Sequence, residues 1–286
     1  MQVQTYTTQI APVITHNVTG NTRSSADFRR VLRRFTPISL TQMHNVALLR
    51  RVNTKYVLSE AQLYQALTRL TADYDVLEIK GRRLHRYRTL YFDTPDFALY
   101  RQHHDGWRDR YKVRSRVYAD SDLAFLEVKR KTNKNVTVKS RLQTPEVVTQ
   151  VDAHGTACVN DFLHTHFPQA TEALEPQLWN SFYRITLVSK RSIERLTLDI
   201  DLSFQAGGTH AALPGVAIAE VKQEAFSLRS EFIGQMRALG VRSMSFSKYC
   251  IGVSLLYDQV KRNRFKPQWL YIDKITQDRR STWTIL

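Results

Sequence analysis

Apolar and polar residues alternate with a period of two along much of this chain. Eight stretches are short and rich in β-branched or aromatic residues, with alternation in most: 50–57, 85–93, 109–118, 123–131, 136–142, 182–190, 195–204 and 215–224. The pattern predicts strands. In RYKVRSRVY, Arg110, Lys112, Arg114 and Arg116 fall on one face, and Tyr111, Val113, Ser115 and Val117 on the other. FLEVKRK sets Glu127, Lys129 and Lys131 against Leu126 and Val128, and TVKSRL sets Lys139 and Arg141 against Val138 and Leu142. Asn53 and Lys55 lie in phase with Arg51, while Arg184, the Asp199 and Asp201 pair, and Glu220, Lys222 and Glu224 occupy similar positions in the remaining strands.

Helical spacing fills the gaps. Ser59 is placed to cap a helix over 60–71, with Leu63, Leu67 and Leu70 on one side. Further helices are expected at 156–167, 228–239 and 246–257, and a short helix with a turn at Pro37 within 27–49. Residues 1–26, rich in Thr, Gln and Asn, read as a loose leader, and 258–286 as a basic tail carrying Trp269, Tyr271 and Trp283. For that tail, packing back on the domain and staying mobile are both open. The expected architecture is α+β: one domain over 27–257, an eight-stranded antiparallel β-barrel forming a tunnel, with helices packed outside.

Composition sharpens the picture. The 286 residues are 42% hydrophobic, enough for a substantial core, and carry a formal charge of +16. Such a balance selects an anionic partner. Cys158 and Cys250 offer neither a disulfide framework nor a zinc spacing, which suits a reducing cytosol. There is no long apolar run and no signal-type N-terminus, so the expectation is a cytoplasmic, soluble protein. No Walker loop, GxGxxG or Ser-His-Asp pattern proposes another chemistry. His103, His104, His164 and His166 have no metal partners in sequence and are expected to be exposed; Asp93 and Asp96, around Pro95, read as turn and helix-cap residues.

The charged faces have two readings. They are solvated outer faces, or they line the interior while the apolar faces pack on helices. Between Arg110 and Arg141 ten cationic residues meet three acids. Burying such a set is costly unless an anion accompanies it. Arginine forks and lysine point charges suit phosphates. Most aromatics alternate with the charges and are expected on the packed face, which argues against nucleic acid stacked on an open patch.

In order along the chain, TKYVL, LYFDTPDFALYR, RYKVRSRVY, FLEVKRK, VKSRL, FYRIT, LDIDLSF, AEVKQE and FSKYCIG resemble the catalytic domain of vacuolar transporter chaperone (VTC) proteins. That domain is the polyphosphate polymerase of the triphosphate tunnel metalloenzyme superfamily, and the resemblance covers roughly residues 45–257. It implies ATP and polyphosphate as substrates, a divalent cofactor (Mn2+ or Mg2+), and transfer of the γ-phosphoryl group onto a growing chain. Lys55, Arg114, Arg116 and Lys129 match the residues that meet the transferred phosphate and line the tunnel. Arg184, Ser247 and Lys248 match further phosphate ligands, and Glu220 matches a metal-binding glutamate. Strand phase adds Arg88, Lys131, Lys139, Arg141 and Lys222 as lining, and Asp199 and Asp201 are either metal ligands or salt-bridge partners. Eukaryotic members add a sensing domain and membrane helices, so a membrane-protein partner is also implied. Hydrolytic members carry Glu-x-Glu-x-Lys on the first strand, whereas this chain has Arg51, Asn53 and Lys55. Polymerase is therefore the leading reading, with a metal-dependent triphosphatase and a non-catalytic polyphosphate-binding module as alternatives.

Overall fold

The computed structural model describes residues 25–44, 52–120, 123–134, 136–151, 157–167 and 174–276. The N-terminal part comprises α1 (Ser25–Leu32), β1 (Thr36–Ile38), α2 (Leu40–His44), β2 (Val52–Ser59), α3 (Glu60–Arg69) and β3 (Tyr74–Leu77). The middle comprises β4 (His85–Asp93), α4 (Ala98–His104), β5 (Arg110–Tyr118), β6 (Leu123–Lys131), β7 (Thr137–Thr144) and α5 (Ala157–His166). The C-terminal part comprises β8 (Glu175–Ser189), β9 (Glu194–Ala206), β10 (Thr209–Leu213), β11 (Val216–Gln223), α6 (Glu231–Ala238), α7 (Lys248–Leu256) and α8 (Lys266–Thr276). Except for Ser25 and Ala26, the expected leader lies outside the described residues, as do Arg51 and Trp283. No described helix is long and apolar enough to cross a membrane.

Eight strands run in the order β2-β11-β9-β8-β4-β5-β6-β7, all antiparallel, with β10 beside β9, β3 beside β8 and β1 parallel to β3. The two ends, β2 and β7, do not pair with each other. The expected closed barrel is therefore corrected to a curled, open sheet. Its closure is blocked at β2: Tyr56 bridges Ser243, and the Met244 N–H donates to the Lys55 carbonyl at 2.8 Å. The segment ahead of α7 thus occupies the edge that β7 would have needed.

On the convex side, α1, α3 and α6 bury Phe28, Leu63, Leu67 and Phe232 against Tyr56, Ile185, Leu198 and Ala219. The α3 helix starts where expected, because Ser59 and Gln62 form a reciprocal capping box. Further round, α5 packs Val159 and Leu163 against Tyr111, Val113, Leu126 and Val128. These are the apolar faces that alternation predicted.

One helix departs from the expected outer shell. The apolar residues of α7, together with Trp269 and Ile272 of α8, pack on Val57, Ile218, Leu178 and Phe204, which share the concave side with Lys55 and Glu220. An irregularity at Asp201 (φ +52°) turns Leu202 and Phe204 onto the side that Asp199 already faces. Gly252 permits the approach: a Cβ there would lie 2.5 Å from Phe204 and 2.6 Å from Leu178. So α7 sits inside the curl and fills one part of it. The segment 258–276 packs back on the same cluster through Phe265, Trp269 and Ile272.

Candidate functional site

Register converts the sequence pattern into rows across the concave face. Arg110 pairs with Lys131, Lys112 with Lys129 and then Lys139, Arg114 with Glu127 and then Arg141, and Arg116 with Phe125. On the facing wall Lys55 pairs with Glu220, Asn53 with Lys222, and Arg184 with Asp199. Three ammonium groups in one row repel each other.

In the deep part of the curl, carboxylates resolve that repulsion. Arg114 meets Glu127 at 2.6 Å, and Lys139 takes the other oxygen of the same carboxylate. Arg184 binds Asp199 through two bonds of 2.6 and 2.7 Å, and Lys248 joins it. Arg116, 5% exposed, donates to Thr89 Oγ1 at 3.0 Å and lies over Tyr87 and Phe182. Burial alone would raise the pKa of Glu127 and of Asp199. Their cationic neighbours, Arg114 and Arg184 foremost, hold both far below the ordinary carboxylate range.

Beside this paired region opens a cavity of about 840 Å³ in which Lys55, Lys112 and Lys129 face a single carboxylate, Glu220. Lys55 Nζ donates to the Phe246 carbonyl at 2.9 Å and Lys112 Nζ to Ser247 Oγ at 2.7 Å. Ser247 in turn accepts from the Cys250 N–H and caps α7. The two lysines therefore pin the start of the helix that fills the curl. Lys129 forms no ion pair among the described residues. It is reached by solvent but ringed by protein, and desolvation, then Lys112 and Lys55, push its pKa down to about 7. Lys112 is also pushed down, chiefly by burial. Burial would raise Glu220, but Lys222 and Lys55 outweigh it and bring its pKa to about 2. His103 lines the same cavity with its pKa pushed down to about 2 by burial, Lys112 and Arg110; it is thus neutral, and its Nε2 lies 3.0 Å from the Tyr111 carbonyl.

Residues 50–257 match the profile of the VTC domain. The chain belongs to the VTC domain family. No curated protein matches this VTC domain. Among solved structures it is similar to a candidate adenylate cyclase from Bacillus halodurans, at 14% identity and a TM-score of 0.47, covering 73% of this chain and 98% of the other. It is also similar to a candidate adenylyl cyclase from Hippeastrum described as having a dominant triphosphatase activity, at 14% identity and a TM-score of 0.45, covering 71% and 95%.

In this VTC domain the cavity gathers Lys55, Lys129, Lys131, Glu220 and Ser247 of the residues expected from sequence. Arg114, Arg116, Lys139, Arg184 and Lys248 lie in the adjoining ion-paired part. Lys222 is buried beside Glu220 and near Thr197, and Arg141 shares the concave side with its guanidinium over Phe125. Arg88 does not join them. Its partners are Val117 and Ser181, so it lies on the convex side, exposed, over Trp179 at 4.8 Å. Residues singled out only by the structure include Arg108 and Arg264; Lys112, on the charged face of β5 that alternation marked, lines the cavity as well. Tyr87, Tyr91 and Phe182 also face inward, contrary to the expectation that aromatics take the packed face.

Asp93 caps α4, accepting from the N–H groups of Leu99 and Tyr100 at 2.8 Å, as its turn-and-cap reading required. His164 and His166 are exposed, whereas His104 is buried against Asp105 and Asn263, and His103 is half-buried. Asp199 is a salt-bridge residue, and Asp201 is exposed.

A divalent cation fits this site only in company with phosphate. The described residues contain no group of three potential metal ligands, and Glu127 and Asp199 are saturated by cations. Glu220, 3.5 Å from Lys222, is the one carboxylate among the residues that line the cavity. Hard cations bound through one carboxylate plus substrate oxygens are an ordinary arrangement.

Proposed function

We propose that this VTC domain is a polyphosphate polymerase-like phosphotransferase, moving the γ-phosphoryl group of ATP onto polyphosphate in its basic cavity. One observation carries the reading: Glu127 and Asp199 are each matched by two cations, whereas the cavity sets Lys55, Lys112 and Lys129 against one carboxylate, Glu220, which Lys222 already meets. Such a cluster awaits an anion of high charge density.

In the proposed step a terminal oxygen of the acceptor chain attacks the γ-phosphorus. The bond from the γ-phosphorus to the β,γ-bridging oxygen breaks, and ADP leaves. The attacking oxygen is already ionised near neutral pH, so no strong base is required. Lys55, Lys112 and Lys129 neutralise and align the phosphates, a contribution that positioned charges alone can make large. A divalent ion, Mn2+ or Mg2+, held by Glu220 and phosphate oxygens would supply further charge neutralisation. Asn53 stands in the cavity where hydrolytic relatives carry a carboxylate, which favours transfer to phosphate over transfer to water. Work in the cytoplasm beside a membrane-protein partner belongs to this proposal and rests on the family alone.

Incubation with ATP and Mn2+ should give ADP and long polyphosphate on a gel. Orthophosphate without polymer contradicts the reading and favours a triphosphatase. Tight polyphosphate binding with no ADP favours a binding module.

A further inference from the structure

The family match ends at residue 257, yet Arg264, Phe265 and Gln268 form part of the cavity wall. We propose that this C-terminal segment completes a second phosphate subsite at the cavity mouth, formed by Arg108, Arg110, Lys131 and Arg264, which holds the distal phosphoryl groups of a long polyphosphate chain. The inference rests on the phosphotransferase reading and adds a chain-length dependence to it.

The subsite is displaced from the lysine cluster by a defined amount. The Arg110–Lys131 pair lies two residues along the strands from the Lys112–Lys129 pair, about 7 Å at 3.4 Å per residue. Pyrophosphate engaging Lys112 and Lys129 therefore does not need the mouth, while a longer chain passes it. Arg264 is delivered to the mouth by a 3-10 turn, Asn263–Phe265, whose position is fixed from several sides. His104 Nε2 lies 2.7 Å from Asn263 Oδ1, and the Tyr100 hydroxyl donates to the Lys261 carbonyl at 2.7 Å. Phe265 is buried, and the Gln268 amide donates to the Ser245 carbonyl at 3.2 Å, tying α8 to the segment ahead of α7.

Gly106, at φ +76°, lets the guanidinium lie against bare backbone: a Cβ would stand 2.8 Å from Arg264 Nη2. The nearby acids are engaged elsewhere, Asp105 with His104 and Asp109 with Arg130. Among the described residues no carboxylate forms an ion pair with Arg108, Arg110, Lys131 or Arg264. Four cations at one rim, three of them with planar forks, match successive phosphoryl groups.

The test compares the wild-type chain of 286 residues with Arg264→Ser by calorimetric titration at low salt with two probes, inorganic pyrophosphate and long-chain polyphosphate. Arg264 is exposed, and thermal unfolding checks that the variant folds. The expected result is a roughly tenfold loss for the long chain with pyrophosphate affinity unchanged, and recovery in Arg264→Lys. Equal losses for both probes, or no loss for either, overturn the subsite. RNA homopolymer binding as tightly as polyphosphate, with the same loss in the variant, overturns the assignment to polyphosphate. ADP formation from ATP is read separately: its absence would reject the phosphotransferase reading without altering the binding comparison.

Discussion

In the deep part of the concave face Glu127 stands between Arg114 and Lys139, and Asp199 between Arg184 and Lys248. Two residues along β5 and β6, Lys112 and Lys129 line a cavity that Lys55 of β2 and Glu220 of β11 also line, and Glu220 already meets Lys222 at 3.5 Å. The two regions use the same residue types and adjoin on β5 and β6. The difference is where carboxylates were placed. A buried cation held by a carboxylate is part of the fold, whereas one left against other cations raises the free energy of the empty protein and lowers that of a complex with an anion. The first region balances its charge within the fold; in the second Lys129 has no ion pair among the described residues, and this imbalance underlies the proposed anion site.

The largest effect should come from breaking the paired region. Asp199→Asn leaves Arg184 and Lys248 facing a neutral amide in a buried setting, and denaturant unfolding should show a loss of about 3–5 kcal/mol. If stability is hardly changed, the two regions do not differ as claimed. The opposite signature belongs to Lys129→Met. Tripolyphosphate affinity should fall at least tenfold, by about 1.4 kcal/mol or more, while the unfolding midpoint at pH 7 stays level or rises. A midpoint that falls steeply would make Lys129 a structural residue.

Protonation sharpens the comparison further. Lys129 titrates near 10.5 in an unfolded chain and near 7 in the fold. Between these values the unfolded chain holds a proton that the folded one lacks, so its contribution makes stability rise as pH climbs from 7 toward 10.5, and Lys129→Met should flatten that slope. By the same linkage, tripolyphosphate binding at pH 8.5, where the phosphates are ionised, should take up protons, seen as a dependence on buffer ionisation enthalpy. Uptake undiminished in Lys129→Met would assign the proton to another group. The smallest effect is expected outside the curl: Arg88→Ala should leave tripolyphosphate affinity within twofold and cost about 0.5–1 kcal/mol at most through its lost contact with Trp179.

Much of this was legible in the chain. Strands β4 and β6 fall where alternation put them, and the charged side of β5 does face inward, because its apolar side has α4 and α5 to pack on. Arg88 misled because β4 is polar in both phases; only its register, Thr89 opposite Arg116, shows which phase faces the cavity. Closure of the sheet depends on which segment reaches the edge of β2, a long-range competition with no local signal. The burial of α7 did leave a trace, since KYCIGVSLL is apolar nearly all round, as a helix enclosed by protein must be. Phe265, Trp269 and Ile272, spaced four and three apart, likewise marked the packed stripe of the C-terminal segment.

The most direct test is a crystal structure with a non-hydrolysable ATP analogue and Mn2+. The account predicts phosphoryl oxygens within hydrogen-bonding distance of Lys55, Lys112 and Lys129, with the Arg114–Glu127 and Arg184–Asp199 pairs intact. Phosphates bound on the convex side beside Arg88, with the cavity holding only water, would contradict it.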